Sequence, residues 1–445
     1  MPTAYANRVS DVGAQVDRVI VVGAGIAGLA AASRLERAGI DYVVLEARDR
    51  IGGRLHTVDL AGVPVDLGGS WIHHPIGNPL TDFCDEHAIA RAPGDPFPRL
   101  SVYDRAEGRR LDPAEIDTSF HRVVEAFEEG AETLLERLGP AASARDGIEA
   151  FIDERGYVGT DARRARQALI FGIEADAGNL ADTQTLRWLN DDPVFGGESL
   201  GDLPRGGYRS VVDALAKGVD VTLNAEVVAV VVDADGVRVT CADGSVEIGT
   251  HAIVTVQLGL LKRGIPRFDP PLPTPMRTAI DALGFGRYEK IALRFETPFW
   301  REDELSHTMV YSSDEDEPVV WVLDLDAFGA GPALCVHLVH SMADSVLDRP
   351  PVEAARWFAD VLAEVVGHPV PEPIAAVVTS WADDPFARGV YTSCGIGAEP
   401  EMIDVLGQPF HGRLVLAGEH THSERNGYAD GAYVTGIRAA NWLGA

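Results

Sequence analysis

The stretch from Arg18 to Glu46 constrains the chain more than any other. It runs Arg-Val-Ile-Val-Val, then Gly23-Ala-Gly25-Ile-Ala-Gly28, then an Ala-, Leu- and Arg-rich run from Leu29 to Ala38 closed by Gly39, then Tyr42-Val-Val-Leu-Glu46. A short apolar run suits a parallel strand, the glycines suit a tight turn, and the Ala-rich run suits a helix ended by a left-handed glycine. The spacing predicts a βαβ unit complete by Glu46. In that context the G-x-G-x-x-G pattern reads as a dinucleotide site. Gly23 permits the turn, Gly25 admits a pyrophosphate to the helix N-terminus, Gly28 allows close helix packing, and Glu46 accepts from a ribose hydroxyl. A glycine-rich turn without a ligand is the bland alternative.

A length of 445 residues suits two large domains or three ordinary ones, and 46% hydrophobic residues are enough to bury a sizeable core. The 68 acidic and 38 basic residues leave a net charge of -30, a field that repels phosphate backbones and anionic membrane surfaces. Nucleic acid and membrane are therefore not expected as partners. The four cysteines, Cys84, Cys241, Cys335 and Cys394, form no C-x-x-C pair, so neither a zinc site nor a disulfide framework is expected. No apolar run reaches the roughly 20 residues that span a bilayer, and the first seventeen residues carry Asn7, Arg8, Asp11 and Gln15 where a signal peptide has an apolar core. The expected location is cytoplasmic.

Farther along, residues 221–240 read as two strands, with Asn224 inside the first and the turn Asp233-Ala-Asp-Gly236 between them, and Ala252-Ile-Val-Thr-Val256 reads as a third. Residues 115–170 and 351–366 have helical spacing instead and suggest a second, more helical domain. Gly197-Glu-Ser199-Leu-Gly201 spells a nucleophile-elbow pattern, but Pro193 before it and Pro204 after it oppose the strand and helix that an elbow needs. His420 and His422 lack the companion ligands of a metal site, and no metal is expected.

Beyond Glu46, the run Ala-Arg48-Asp-Arg50-Ile-Gly52-Gly53-Arg54 adds guanidinium groups and a second glycine pair. It resembles the extended FAD fingerprint of the flavin-containing amine oxidase family, the group of monoamine oxidases, polyamine oxidases and lysine-specific histone demethylases. The segments Arg413-Leu-Val-Leu-Ala-Gly418-Glu419 and Gly431-Ala-Tyr-Val-Thr-Gly436 resemble that family's second FAD segment, and four more fall between in the right order. These are Asp66-Leu-Gly68-Gly69-Ser70-Trp71, the run at 253–262, Gly284-Phe-Gly-Arg-Tyr-Glu-Lys290, and Trp381 through Val390-Tyr391. The motifs are closest to those of polyamine oxidases.

The resemblance implies an α/β fold: a Rossmann-like FAD-binding domain at 1–80, 206–270 and 386–445, with an interleaved α+β substrate-binding domain at 81–205 and 271–385. It implies cofactor contacts at Gly23, Gly25, Gly28, Glu46, Arg48, Gly53, Arg54, Gly69, Ser70, Trp71, Val227, Trp381, Gly418, Glu419 and Ala429. Lys290 aligns with the lysine that holds a water against flavin N5, and Tyr391 and Tyr428 with two positions that flank the flavin face. His73 and the acids Glu174, Asp191 and Asp192 fall where polyamine oxidases meet their substrate. Val390 stands where the mitochondrial monoamine oxidases carry a flavin-linked cysteine, so the FAD is expected to be non-covalent.

The implied partners are a small amine and dioxygen. The implied reaction takes an amine to an imine and then an aldehyde, with dioxygen reduced to hydrogen peroxide. A polyamine or diamine is favoured as substrate, with primary monoamines and L-amino acids as alternatives. A flavin-dependent desaturase and a non-catalytic flavin binder remain as further readings. Histone demethylation is disfavoured, because the chain lacks room for a long helical insertion and its charge has the wrong sign for chromatin.

Overall fold

The computed structural model describes residues 15–92, 100–188, 194–197, 200–303, 305, 307–314 and 319–445. The chain divides into two compact units, one made of the residues through Gly53 with Val212–Asp281 and Pro400–Ala445, the other of Arg54–Val211 and Ala282–Glu399. Residues 54–80, 206–211 and 386–399, grouped with the cofactor domain in the sequence, thus fold with the second unit, and 271–281 with the first. The segment after Arg54 joins the second unit through its own hairpin, Thr57–Leu60 against Val63–Asp66.

The first unit is built on β1 (Arg18–Val22), α1 (Ile26–Ala38) and β2 (Asp41–Leu45). A five-stranded parallel sheet runs Leu414–Leu416, His251–Val254, β1, β2, Val221–Thr222. Its central strands are apolar because both faces are covered, and Val19, Ile20 and Val21 are fully buried. Helix α1 ends at Gly39 with φ of 68°, the left-handed conformation that glycine adopts without strain. The helix Ala429–Trp442 crosses α1 closely at Gly436, where a Cβ would stand 2.1 Å from the carbonyl oxygen of Ala27. A second sheet of four strands carries Val227–Val232, paired antiparallel with Val237–Cys241 across the turn at Gly236. The single strand expected around Asn224 is divided, because Asn224 adopts φ of 58° and the two halves join different sheets.

The second unit centres on a seven-stranded sheet in the order Ala375–Val378, Tyr288–Arg294, Ala333–Val339, Val320–Asp324, His307–Tyr311, Leu100–Asp104, Arg109–Arg110. All neighbours are antiparallel except His307–Tyr311 with Leu100–Asp104. The helical stretch anticipated at 115–170 resolves into Arg122–Leu138, Ala144–Arg155 and Gly159–Ala177, and Pro351–Val366 is also a helix. Ser143 and Asp146 form a reciprocal capping box at the second of these. The helix Gly159–Ala177 is tied to the sheet by Arg163 and Arg164, whose guanidinium groups both donate to the buried carboxylate of Asp104 at 2.7 Å. Among the described residues no helix is long and apolar enough to cross a membrane.

Candidate active site

In the first unit the glycine fingerprint forms an empty-sided cradle. Gly23 turns with φ of 101°, and its amide donates to the Leu45 carbonyl. A Cβ on Gly28 would sit 1.9 Å from the Gly23 carbonyl oxygen, so that position belongs to packing. A Cβ on Gly25 would meet nothing within 4 Å, so its bareness serves something outside the chain. Gly25 is also the N-cap of α1, no side chain caps this end, and no acid lies in its first turn. A helix N-terminus open in this way attracts an anion, which is the fit expected for a dinucleotide pyrophosphate. Gly52 donates its amide to the Ala24 carbonyl, and Gly53 packs against the Gly25 Cα.

Glu46 is buried at the end of β2, where its carboxylate accepts from the amides of Ala24 at 2.7 Å and Arg48 at 2.9 Å. Two backbone donors hold it across the turn and leave lone pairs for a ribose hydroxyl. Val227 begins its strand buried at 6% exposure. In the carboxy-terminal part of this unit, Glu419 accepts from the Gly427 amide at 2.8 Å, and Gly418 donates to Thr435 Oγ1 at 2.9 Å. Tyr428 is the N-cap of Ala429–Trp442, and the Arg425 guanidinium lies 3.9 Å from its ring centre while pairing with Asp430.

In the second unit the constellation gathers around Lys290. Its ammonium donates to the Gly68 carbonyl at 2.6 Å, to Ser70 Oγ at 2.7 Å and to the Asp66 carbonyl at 3.1 Å. Three oxygens matched to three protons favour the charged form, while burial pulls the lysine below its ordinary value and the Asp66 charge opposes that pull. The strand register sets His337 directly opposite Lys290 and Trp321 opposite His337. Trp71 stacks on Trp321 at 6.0 Å, lies 5.5 Å from the His337 ring, and presents its own ring 5.6 Å from the Lys290 ammonium. His337 Nδ1 meets the Tyr288 hydroxyl at 2.8 Å, and burial holds the imidazole well below its usual value, so it is neutral. Burial also raises the Asp66 carboxyl to about 6, against hydrogen bonds from Thr57 Oγ1 and the Tyr208 amide.

A buried carboxylate next to Lys290 organises the rest. Glu289 accepts from Thr379 Oγ1 and from the amides of Trp381 and Ala382, and Thr379 in turn accepts from the Lys290 amide at 2.8 Å. Trp381 donates its indole N–H to the Leu67 carbonyl at 2.9 Å, which fixes the indole against the 66–71 segment. Gly68 has no room for a side chain, since a Cβ would lie 1.8 Å from the Arg54 carbonyl oxygen. The Arg54 side chain donates to the Val390 carbonyl and lies over Phe285.

The structure thus brings together Gly69, Ser70, Trp71, Lys290 and Trp381. Tyr391 reaches this group through Tyr288, 6.2 Å away, and donates its hydroxyl to the Ala175 carbonyl. His73 is half-buried beside Trp71. Glu174, in the last turns of the helix Gly159–Ala177, is fully buried and accepts from the Ala181 amide beyond the helix end, so its carboxylate is not at a solvated mouth. Asp191, Asp192 and Ser199 lie outside the described residues. Motif reading passed over His337, Glu289 and Asp66. The first is visible only through strand register, whereas the other two sit inside motifs already quoted.

The chain matches the model of the flavin-containing amine oxidoreductase family over residues 26–443. It is 30% identical to "Probable polyamine oxidase 4" of Arabidopsis thaliana, over 95% of this chain and 86% of that protein. It is 31% identical to "Lysine-specific histone demethylase 1 homolog 3" of the same plant, over 95% of this chain and 30% of that protein. Across the first four plant relatives, three of them named lysine-specific histone demethylase 1 homolog 3, it spans 30% to 54% of their length. A solved structure from a redesign of cofactor binding in putrescine oxidase superposes with a TM-score of 0.77 at 23% identity, covering 96% of this chain and 99% of that one, and so shares the fold. The chain belongs to the flavin-containing amine oxidoreductases, and its cofactor is FAD.

Proposed function

We propose that this protein is an FAD-dependent oxidase of small amines, with a polyamine or diamine as its substrate. The observation that carries the reading is the buried Lys290 ammonium, locked to the 66–70 segment beside an indole wall. FAD supplies hydride acceptance from the carbon beside an amine nitrogen and the return of two electrons to dioxygen, so the products are an imine, hydrolysed to an aldehyde, and hydrogen peroxide.

The chain's own groups bind and orient. The open end of α1 and Glu46 hold the pyrophosphate and a ribose. Lys290 places a fixed positive charge next to the 66–71 segment, where negative charge on a reduced cofactor is stabilised. Tyr391 is oriented by its bond to Ala175, and Tyr428 by the Arg425 guanidinium over its ring. Apolar rings favour the neutral amine that oxidation requires. Glu174 serves as a structural acceptor, so capture of a distal ammonium falls to other acids, Asp191 and Asp192 among them. Val390 in place of a linking cysteine supports non-covalent FAD, released in full on acid precipitation.

Resemblance to proteins named lysine-specific histone demethylases supports a second reading, in which the amine is an N-methylated lysine of a basic peptide. One screen separates the two: peroxide release over monoamines, diamines, polyamines and a methylated-lysine peptide, with formaldehyde measured for the last. Fastest turnover of a diamine or polyamine is expected. Formaldehyde release as the fastest reaction selects the second reading, and a yellow protein that no amine bleaches under nitrogen overturns both.

A further inference from the structure

Behind Lys290 the second unit contains a cavity of about 240 Å³ that opens at the surface. Arg205, Gly206 and Gly329, all exposed, form its mouth, and the Arg205 guanidinium lies against Gly329. Leu203, Leu325, Phe328 and Ala330 make its walls apolar. Its inner end is polar: Asp66, Ser70, Lys290 and His337, the last with a buried Nε2 that has no hydrogen-bond partner.

We propose that this cavity is an inlet through which dioxygen reaches the Lys290 end, separate from the path of the amine; the inference rests on the oxidase reading. The volume lies below the roughly 300–1,000 Å³ of sites that enclose organic ligands, yet admits several molecules the size of water. Charge selects further. A cationic amine would meet the Arg205 guanidinium at the mouth and the Lys290 ammonium at the base, and both repel it. The one carboxylate at the inner end, Asp66, is already taken up by Thr57 Oγ1 and the Tyr208 amide. Dioxygen is neutral, small and more at ease between apolar walls than in water, and hydrogen peroxide leaving by the same way is neutral too. Each passage completes one reoxidation: two electrons pass from anionic reduced flavin to dioxygen. One proton comes from the reduced flavin and one from the medium, giving FAD and hydrogen peroxide.

Two measurements on the holoenzyme test this. Xenon pressed into crystals occupies apolar cavities without any flavin chemistry, so it should be found between Ala330 and Leu203 and be lost in Ala330→Phe. In stopped flow, reoxidation of amine-reduced Ala330→Phe by dioxygen should slow by about fivefold or more, with anaerobic reduction by the amine changed by less than about twofold. If Ala330→Phe does not fold, Leu203→Phe takes its place. Three results would overturn the proposal: wild-type crystals without xenon there, a variant that loses xenon but reoxidises at full speed, or reduction and reoxidation slowed equally. Failure of the oxidase reading looks different, as a reduced wild-type enzyme that air does not reoxidise although xenon fills the cavity.

Discussion

The two units meet the requirements of their ligands in opposite ways. Around α1 the ligand-facing surface is bare backbone: Gly25 has open space where a side chain would be, and the helix end is uncapped. Around Lys290 the surface is all side chain, with an ammonium, two indoles, an imidazole and a buried carboxylate each held by named partners. A backbone cradle recognises phosphate, which every dinucleotide shares, and is built from residues close in sequence. A side-chain constellation can be tuned to one reaction, and its parts arrive from distant strands.

Substitutions sharpen the contrast, beginning with the glycines. Gly28→Val drives a methyl group into the Gly23 carbonyl and should abolish folded, yellow protein; soluble yellow protein of normal melting temperature would show that the turn can yield. Gly25→Ala, by contrast, should leave the apoprotein's melting temperature nearly unchanged and weaken FAD retention on gel filtration. If both variants lose stability equally, the cradle is packing throughout and the comparison breaks.

On the side-chain face, Lys290→Met should slow flavin reduction or reoxidation by about tenfold, ~1.4 kcal/mol of barrier, with FAD still bound. Unchanged half-reactions would remove Lys290 from the chemistry. Tyr428→Ala should lower the rate of anaerobic flavin reduction by a few-fold, because the ring that orients the neutral amine is gone, and not merely raise KM. A pH dependence of stability is expected as well. Asp66 holds its proton to about pH 6 when folded and loses it near the ordinary carboxylate value when unfolded. Between those values the unfolded chain binds fewer protons, so stability from this group falls as pH rises from about 4 to about 6 and is level above. Urea unfolding of Asp66→Asn should lack that decline; an identical profile in both proteins would show that Asp66 is not the titrating group.

The same contrast explains what was legible in the sequence. The βαβ unit, its glycines and Glu46 could be read because every contact in it closes within about thirty residues. The division of residues 221–240 at Asn224 could not, since only pairing with β2 reveals that Val221–Thr222 belongs to another sheet. Lys290, Trp71, Tyr391 and Tyr428 were located by family resemblance, and no periodicity in the chain points to them. His337 escaped notice because its place beside Lys290 depends on a strand pairing 47 residues away in the chain. Glu174 is expected among the substrate-facing acids, and its full burial could not be foreseen because burial of a single carboxylate leaves no trace in composition.

The helix crossing at Gly436 has a consequence for biosynthesis. The first βαβ unit leaves the ribosome early, but the strand Leu414–Leu416 and the helix Ala429–Trp442 that complete its sheet and cover α1 follow some 370 residues later. At about 5–20 residues per second the nascent chain spends tens of seconds with the His251–Val254 edge unpaired or the face of α1 uncovered. An unpaired edge of apolar parallel strand is a template for aggregation. The anion-binding end of α1 thus lies on a helix whose covering partner is among the last segments to be synthesised.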